Sequence, residues 1–153
     1  MSQRAPIPLA DQVIDIARPA DEVFAFVVNH ENYARWYPGA VKVIALDDLV
    51  QGAPGKAYEE TLALPSGRTT VFTIRTTEVQ APDLFVTEGE LSPVFPRMEI
   101  RLTAKSPQVT ELRLKLLSRS RSPLVRLLIA LLVRRIVSRQ TKVGLSRLRS
   151  ILA

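Results

Sequence analysis

Residues 110–118 read as a strand, with Leu112, Leu114 and Leu116 on one face and Glu111, Arg113 and Lys115 on the other. A strand of this kind has one face for a core and one for water, as in an antiparallel sheet covered on a single side. The pattern extends backward through the chain. Met98, Ile100 and Leu102 share a face in 97–104, and strand signals occupy 41–46, 57–64, 68–79 and 84–89. Pro65-Ser-Gly67 marks a hairpin turn, and Gly52-Ala-Pro-Gly55 a loop. After the last strand the character changes. Ser122-Pro123 is a capping residue followed by a first-turn proline. Beyond it only Gly144 interrupts the ~30 residues to the end, which read as one helix. Six strands in succession need a cover for their apolar face, and this helix must supply it.

The first forty residues read as a strand and two short helices. Residues 12–17 alternate, with Ile14 and Ile16 together, and Pro19 ends the strand. Asp21 and Glu22 then stand in the first turn of a helix whose apolar stripe is Val23, Phe26 and Val27. Asn29 is placed to cap a second short helix carrying Tyr33 and Trp36, and Pro38-Gly39 stops it. The expected architecture is α+β: a curved antiparallel sheet of about seven strands around a long C-terminal helix, with two short helices between strands 1 and 2. It forms a single domain over residues 1–153.

Composition removes several classes of chemistry. There is no cysteine, hence no disulfide, thiolate nucleophile or cysteine-held metal; the expected compartment is the cytoplasm. Residues 1–10 show no apolar run of signal-peptide length. The longest apolar stretch, 127–133, is far shorter than the ~20 residues of a membrane span. The net charge of +6 is unevenly placed: eleven of the 21 Lys and Arg lie after Glu111, and none of the 15 Asp and Glu do. That basic end suits an anionic surface. No aromatic residue follows Phe95, so base stacking has no support and a nucleic-acid partner is not expected.

The stretch Ile-Ala-Arg-Pro-Ala-Asp-Glu-Val-Phe-Ala-Phe (16–26), then Asn-His-Glu-Asn-Tyr-Ala-Arg-Trp-Tyr-Pro-Gly (29–39), and the glycines at 52 and 55 before the third strand, resemble the polyketide cyclase/dehydrase branch of the START-like (Bet v 1-like, SRPBCC) superfamily. The likeness covers nearly the whole chain and implies a helix-grip fold. It also implies binding or carriage of an apolar small molecule, a lipid, quinone or polyketide-like aromatic, between sheet and helix. Two alternatives stay open: a cyclase or dehydratase using a buried acid, and a membrane- or RNA-associated protein acting through its basic helix.

Residues that could carry chemistry are few. His30 is the only histidine. A Ser-His-Asp triad or a histidine-held metal would have to use it, but its place between two helices predicts a solvated, dispensable turn residue. Asp47-Asp48 reads as a turn. Gly52-Ala-Pro-Gly55-Lys56 lacks the spacing and the following Ser or Thr of a phosphate loop. No metal or cofactor is expected. Two carboxylates are catalytic candidates: Glu60, which shares a face with Tyr58, Leu62 and Leu64, and Glu88, which shares one with Leu84 and Val86. An unpaired buried carboxylate is costly, so both are expected on the wet face. The expected ligand contacts are Trp36, Tyr58, Phe72, Leu128 and Leu131, with core and cavity wall formed by one concave surface.

The C-terminal helix has two halves. In the second, Val137, Thr141, Leu145, Leu148 and Leu152 form one stripe opposite Arg135, Arg139, Lys142 and Arg149. In the first, apolar residues run right round the helix from Leu127 to Val133, bracketed by Arg126, Arg134 and Arg135. One side can pack on the sheet. The other is buried beneath loops, lines a cavity mouth, or meets an anionic membrane or a second copy through residues 127–135.

Overall fold

The computed structural model describes residues 5–153. Its elements are β1 (Ile7–Ile16), α1 (Ala20–Val28), a 3₁₀ turn (His30–Asn32), α2 (Tyr33–Trp36), then β2 (Ala40–Ala45), β3 (Ala57–Ala63), β4 (Thr69–Gln80), β5 (Leu84–Gly89), β6 (Pro96–Ser106) and β7 (Val109–Ser118). The C-terminal helix runs as α3 (Pro123–Leu128), a π-helical turn (Ile129–Val133) and α4 (Arg134–Leu152).

All seven strands pair antiparallel in one sheet, in the order β1-β7-β6-β5-β4-β3-β2. Consecutive strands are neighbours from β2 to β7, as hairpins require. The first strand returns to close on the last, with Ile14 opposite Leu112 and Ile16 opposite Thr110. The alternation read from sequence sets which side is buried: Met98, Ile100 and Leu102 of β6 and Leu112, Leu114 and Leu116 of β7 all enter the core. At the loop before β3, Asp47 folds back to accept from the backbone N–H of Leu49 and Ala57 and from the Lys56 ammonium. These bonds, the Ala57 one first, hold its carboxyl below the ordinary range.

The long helix is gripped chiefly at its C-terminal half. Thr141, Gly144, Leu145 and Leu148 are buried along α4. Arg18 donates to the terminal carbonyl of Leu152 at 2.7 Å, supplying a cation and a donor where helix carbonyls lack partners. Gln12 donates to the Ser138 carbonyl at 2.9 Å, and Arg134 to the Pro8 carbonyl at 3.1 Å, tying the helix to β1. Gly144 is no helix breaker. A Cβ there would stand 3.3 Å from the Trp36 carbonyl oxygen and 3.2 Å from the Pro38 ring, so the glycine lets helix and α2 approach.

Of the arrangements left open for the first half of the helix, burial beneath loops is not the one found. Ser122 caps it through the Val125 N–H. Of the apolar run, Ile129 is buried, but Leu124, Leu127, Leu128, Leu131 and Leu132 are exposed. No loop of the described residues covers them.

Gly144→Val puts a branched side chain against a backbone carbonyl that cannot rotate away. Overpacking of this kind costs about 1–3 kcal/mol. The urea midpoint of the variant should fall accordingly, and an unchanged midpoint would show that helix and α2 are free to separate.

Candidate functional site

Clamped at one end, the helix leaves a cavity of ≈ 290 Å³ between its middle and the concave sheet. Its sheet side includes Leu62, Phe72, Ile74, Met98 and Leu116; its helix side is Val133, Ile136, Val137 and Gln140. Phe72 lies opposite Glu60 across the β3–β4 pair. Its ring has room because residue 89 is glycine: a Cβ there would come within 2.9 Å of it. The volume is near the lower end of the ~300–1,000 Å³ usual for small-molecule pockets.

One end of this cavity is polar, and the turn after α1 makes it so. The Asn29 side chain accepts from the Glu31 N–H at 3.2 Å, and Asn32 donates to the Phe26 carbonyl at 3.0 Å. Pinned this way, the 3₁₀ turn aims His30 inward. Its ring stacks on Tyr33 with centroids 4.8 Å apart, and Tyr33 stacks on Tyr37 at 4.8 Å. The three rings therefore form one wall. His30 Nε2 stands 3.6 Å from Glu60 Oε1, just beyond hydrogen-bonding reach. His30 is 2% exposed and Glu60 3%. Neither His30 nitrogen, nor Glu60 Oε1, has a hydrogen-bond partner among the described residues. Each buried polar atom left so costs about 1–3 kcal/mol.

Two sequence expectations are thereby corrected. His30 is not a solvated turn residue, because the Asn29 and Asn32 bonds rotate the turn toward the core. Glu60 is not on the wet face: Tyr58, Glu60 and Leu62 form the concave side of β3, and the carboxylate goes in with them. Glu88 is on the other face, in ion pairs with Arg97 at 2.9 Å and Arg119 at 3.6 Å; it is Thr87 that faces the cavity.

The expected ligand contacts divide. Phe72 lines the cavity. Trp36 is buried behind it, edge-on to Tyr33 at 5.0 Å and to Tyr37 at 5.9 Å, so those tyrosines, not the tryptophan, form the wall. Tyr58 lies deeper, against the His30 ring and beneath the Lys56 ammonium. Leu128 (45% exposed) and Leu131 (63%) point away from the cavity. At their level the helix turns Ile129 inward, and the π turn adds one residue before Val133. Tyr37, Thr87 and Gln140 were not anticipated. The spacing of His30, Tyr33 and Tyr37 was the available signal, since residues three and four apart share a helix face.

The tyrosine hydroxyls of this wall stay protonated. Burial pushes the Tyr33 hydroxyl well above its usual value, with smaller contributions from Tyr37 and Glu60. Burial likewise takes Tyr37 up to about 12, with its hydrogen bond to Thr141, whose own hydroxyl donates to the Val137 carbonyl, acting the other way. Both are therefore hydrogen-bond donors at neutral pH. Among the described residues no group of three His, Cys, Asp or Glu could hold a metal ion. No helix of the described residues is long and apolar enough to cross a membrane.

Comparison with known proteins adds the following. Residues 9–153 match the family model described as polyketide cyclase/dehydrase and lipid transport. Among solved structures, the chain is similar to the Zhui aromatase/cyclase from Streptomyces sp. R1128 (TM-score 0.72, 18% identity, 94% of this chain and 92% of that chain). It is also similar to a START superfamily protein from Mycobacterium smegmatis (TM-score 0.62, 16% identity, 88% and 95%). A third is the di-domain aromatase/cyclase StfQ of the steffimycin pathway (TM-score 0.66, 11% identity, 93% and 49%). At these identities the likeness is one of fold. No match was found among curated proteins.

All three tyrosines are held above the ordinary value near 10. A spectrophotometric titration of the native protein should show tyrosinate only well past the pH at which the unfolded chain ionises. Between roughly pH 10 and 12 the unfolded state releases protons that the native state keeps, so stability should fall as pH rises through that window. Tyrosinate appearing near pH 10 with the fold intact would mean that the ring wall is open to water.

Proposed function

The chain belongs to the polyketide cyclase/dehydrase and lipid transport family, and from that premise we propose that it binds and carries a small, mostly apolar molecule in the cavity between sheet and helix. The observation that carries this reading is the cavity itself, with apolar walls and a few polar groups gathered at one end. Small-molecule sites are commonly built in this way. Residues 1–153 act as one ligand-binding unit in the cytoplasm, a compartment that suits a chain without cysteine.

A second reading is a cyclase- or dehydratase-type enzyme, favoured by one observation. A carboxyl group and an imidazole, Glu60 and His30, face the same cavity 3.6 Å apart. Two such groups can move a proton to and from one substrate atom. Turnover of an oxygenated polyketide-like probe that stops in Glu60→Gln while binding persists would select this reading.

The partner of the exposed helix is proposed to be an anionic lipid surface. Leu124, Leu127, Leu128, Leu131, Leu132 and Ile136 are exposed, and Ile136 also lines the cavity, so the apolar surface is continuous with the pocket. Arg121, Arg135 and Arg139 are exposed around it, whereas Arg126 and Arg134 are engaged by the Ala5 and Pro8 carbonyls. Burying each such apolar side chain contributes about 1.5–3 kcal/mol, and each basic residue near anionic headgroups about 1 kcal/mol. A ligand could then pass between bilayer and cavity without crossing water.

Two measurements check these proposals. An environment-sensitive apolar dye should bind and brighten, and Phe72→Arg, which puts a cation into the cavity wall, should abolish the signal; no uptake by the wild type would sink the binding reading. The protein should sediment with anionic vesicles at low salt, and less at high salt or in Leu131→Asp/Leu132→Asp. Salt-independent self-association, seen by light scattering with no vesicle binding, would instead assign the patch to a second copy of the chain.

A further inference from the structure

We infer that the His30–Glu60 end of the cavity is a receptor for a neutral hydroxyl group, so that the ligand is a ring-sized apolar molecule bearing an alcohol or phenol at its buried end. The inference rests on the cavity being a binding site and names what the site selects.

The argument starts from two side chains that are buried without partners. His30 Nε2 and Glu60 Oε1 lie 3.6 Å apart, too far to satisfy each other, and both nitrogens of the ring are unpaired among the described residues. They line the cavity wall together with Thr87, and the rest of that wall is almost wholly apolar. Nothing in the fold needs a carboxylate at position 60. Its neighbours on the concave side, Leu62 on the same strand and Phe72 opposite it, are apolar, and another apolar side chain would seal the core at lower cost. His30 is likewise held inward by the bonds of Asn29 and Asn32, which would form around any residue at position 30.

A single oxygen placed between the two atoms can come within hydrogen-bonding distance of both. A hydroxyl is the group that fits, because it donates and accepts at once. It donates to the Glu60 oxygen and accepts from the imidazole. A ketone or ether oxygen has no hydrogen for Glu60. A carboxylate has none either, and it would bring a second acid against the first at the closed end of an apolar cavity.

Naphthalene, naphthol and naphthoate share one ring system and differ only in the end group, so isothermal titration with the three reads the selection directly. Wild type should bind naphthol at least about tenfold more tightly than naphthalene, a difference of one good hydrogen bond, and naphthoate more weakly than either. In His30→Phe and in Glu60→Leu the naphthol preference should vanish while naphthalene still binds. Both variants should melt no lower than wild type, since an unpaired polar group has been removed. Should Glu60→Leu fail to fold, Glu60→Gln, which keeps the shape and replaces one acceptor by a donor, should retain a reduced preference. Equal binding of naphthol and naphthalene by wild type, or a preference that survives in both variants, overturns the inference and leaves the cavity reading standing. If neither naphthalene nor the apolar dye binds wild type, the cavity reading fails and takes this inference with it.

Discussion

Helix α4 touches the backbone of α2 at Gly144, and that contact decides where the rest of the helix can lie. With no side chain at 144, the helix comes down onto the Trp36 carbonyl and the Pro38 ring. Leu145 and Leu148 then seal its C-terminal half into the core, and Arg18 ties off its last carbonyls. A straight helix seated at one end of a strongly curved sheet cannot follow the sheet at its other end. The cavity is the space that results. It needs no special lining to exist, only a rod and a bent surface, and Val133, Ile136 and Val137 face it from the helix.

Chemistry enters this space from two directions. From the sheet, the concave side of β3 brings Glu60 and the concave side of β5 brings Thr87. From the opposite wall, a 3₁₀ turn held by two asparagines brings His30, with Tyr33 and Tyr37 stacked behind it. His30, Glu60, Tyr33 and Tyr37 thus form a polar part of the wall, while the helix, Gln140 apart, contributes aliphatic groups. Burial of the tyrosines keeps them as neutral donors, whereas His30 and Glu60 are left with unmet hydrogen-bonding capacity. Groups in that condition cost stability, and a functional site is where a fold tolerates such a cost.

The surface divides as sharply as the interior. All acidic residues precede Leu112, and the helix carries basic groups only. Some of those cations have structural work, as Arg126 and Arg134 do in binding the carbonyls of Ala5 and Pro8. Arg135 and Arg139 remain exposed beside five exposed leucines. Apolar surface next to the pocket mouth, fringed by cations, is the combination an anionic lipid surface matches.

Much of the architecture was legible in the chain itself because it depends on local rules. Period-two alternation assigns strand faces, Ser122-Pro123 starts a helix, and Pro19, Pro38 and Gly39 punctuate the short elements. The seven antiparallel strands followed from these signals, and so did the α4 stripe of Thr141, Leu145 and Leu148. The site was legible only in part. Alternation showed that Glu60 shares a face with Tyr58 and Leu62, but cost argued for the wrong side, since no local rule says that a carboxylate will be buried unpaired. The orientation of His30 depended on hydrogen bonds from Asn29 and Asn32 within a turn whose direction no periodicity encodes. Leu128 and Leu131 were placed in the cavity because an all-round apolar helix has no preferred face in sequence; the π turn and the seat at Gly144 chose one. Pattern and punctuation, being short-range, determined the elements and their faces. Which residues meet across the cavity was decided by where a rigid helix comes to rest on a curved sheet, and that is a property of the assembled fold.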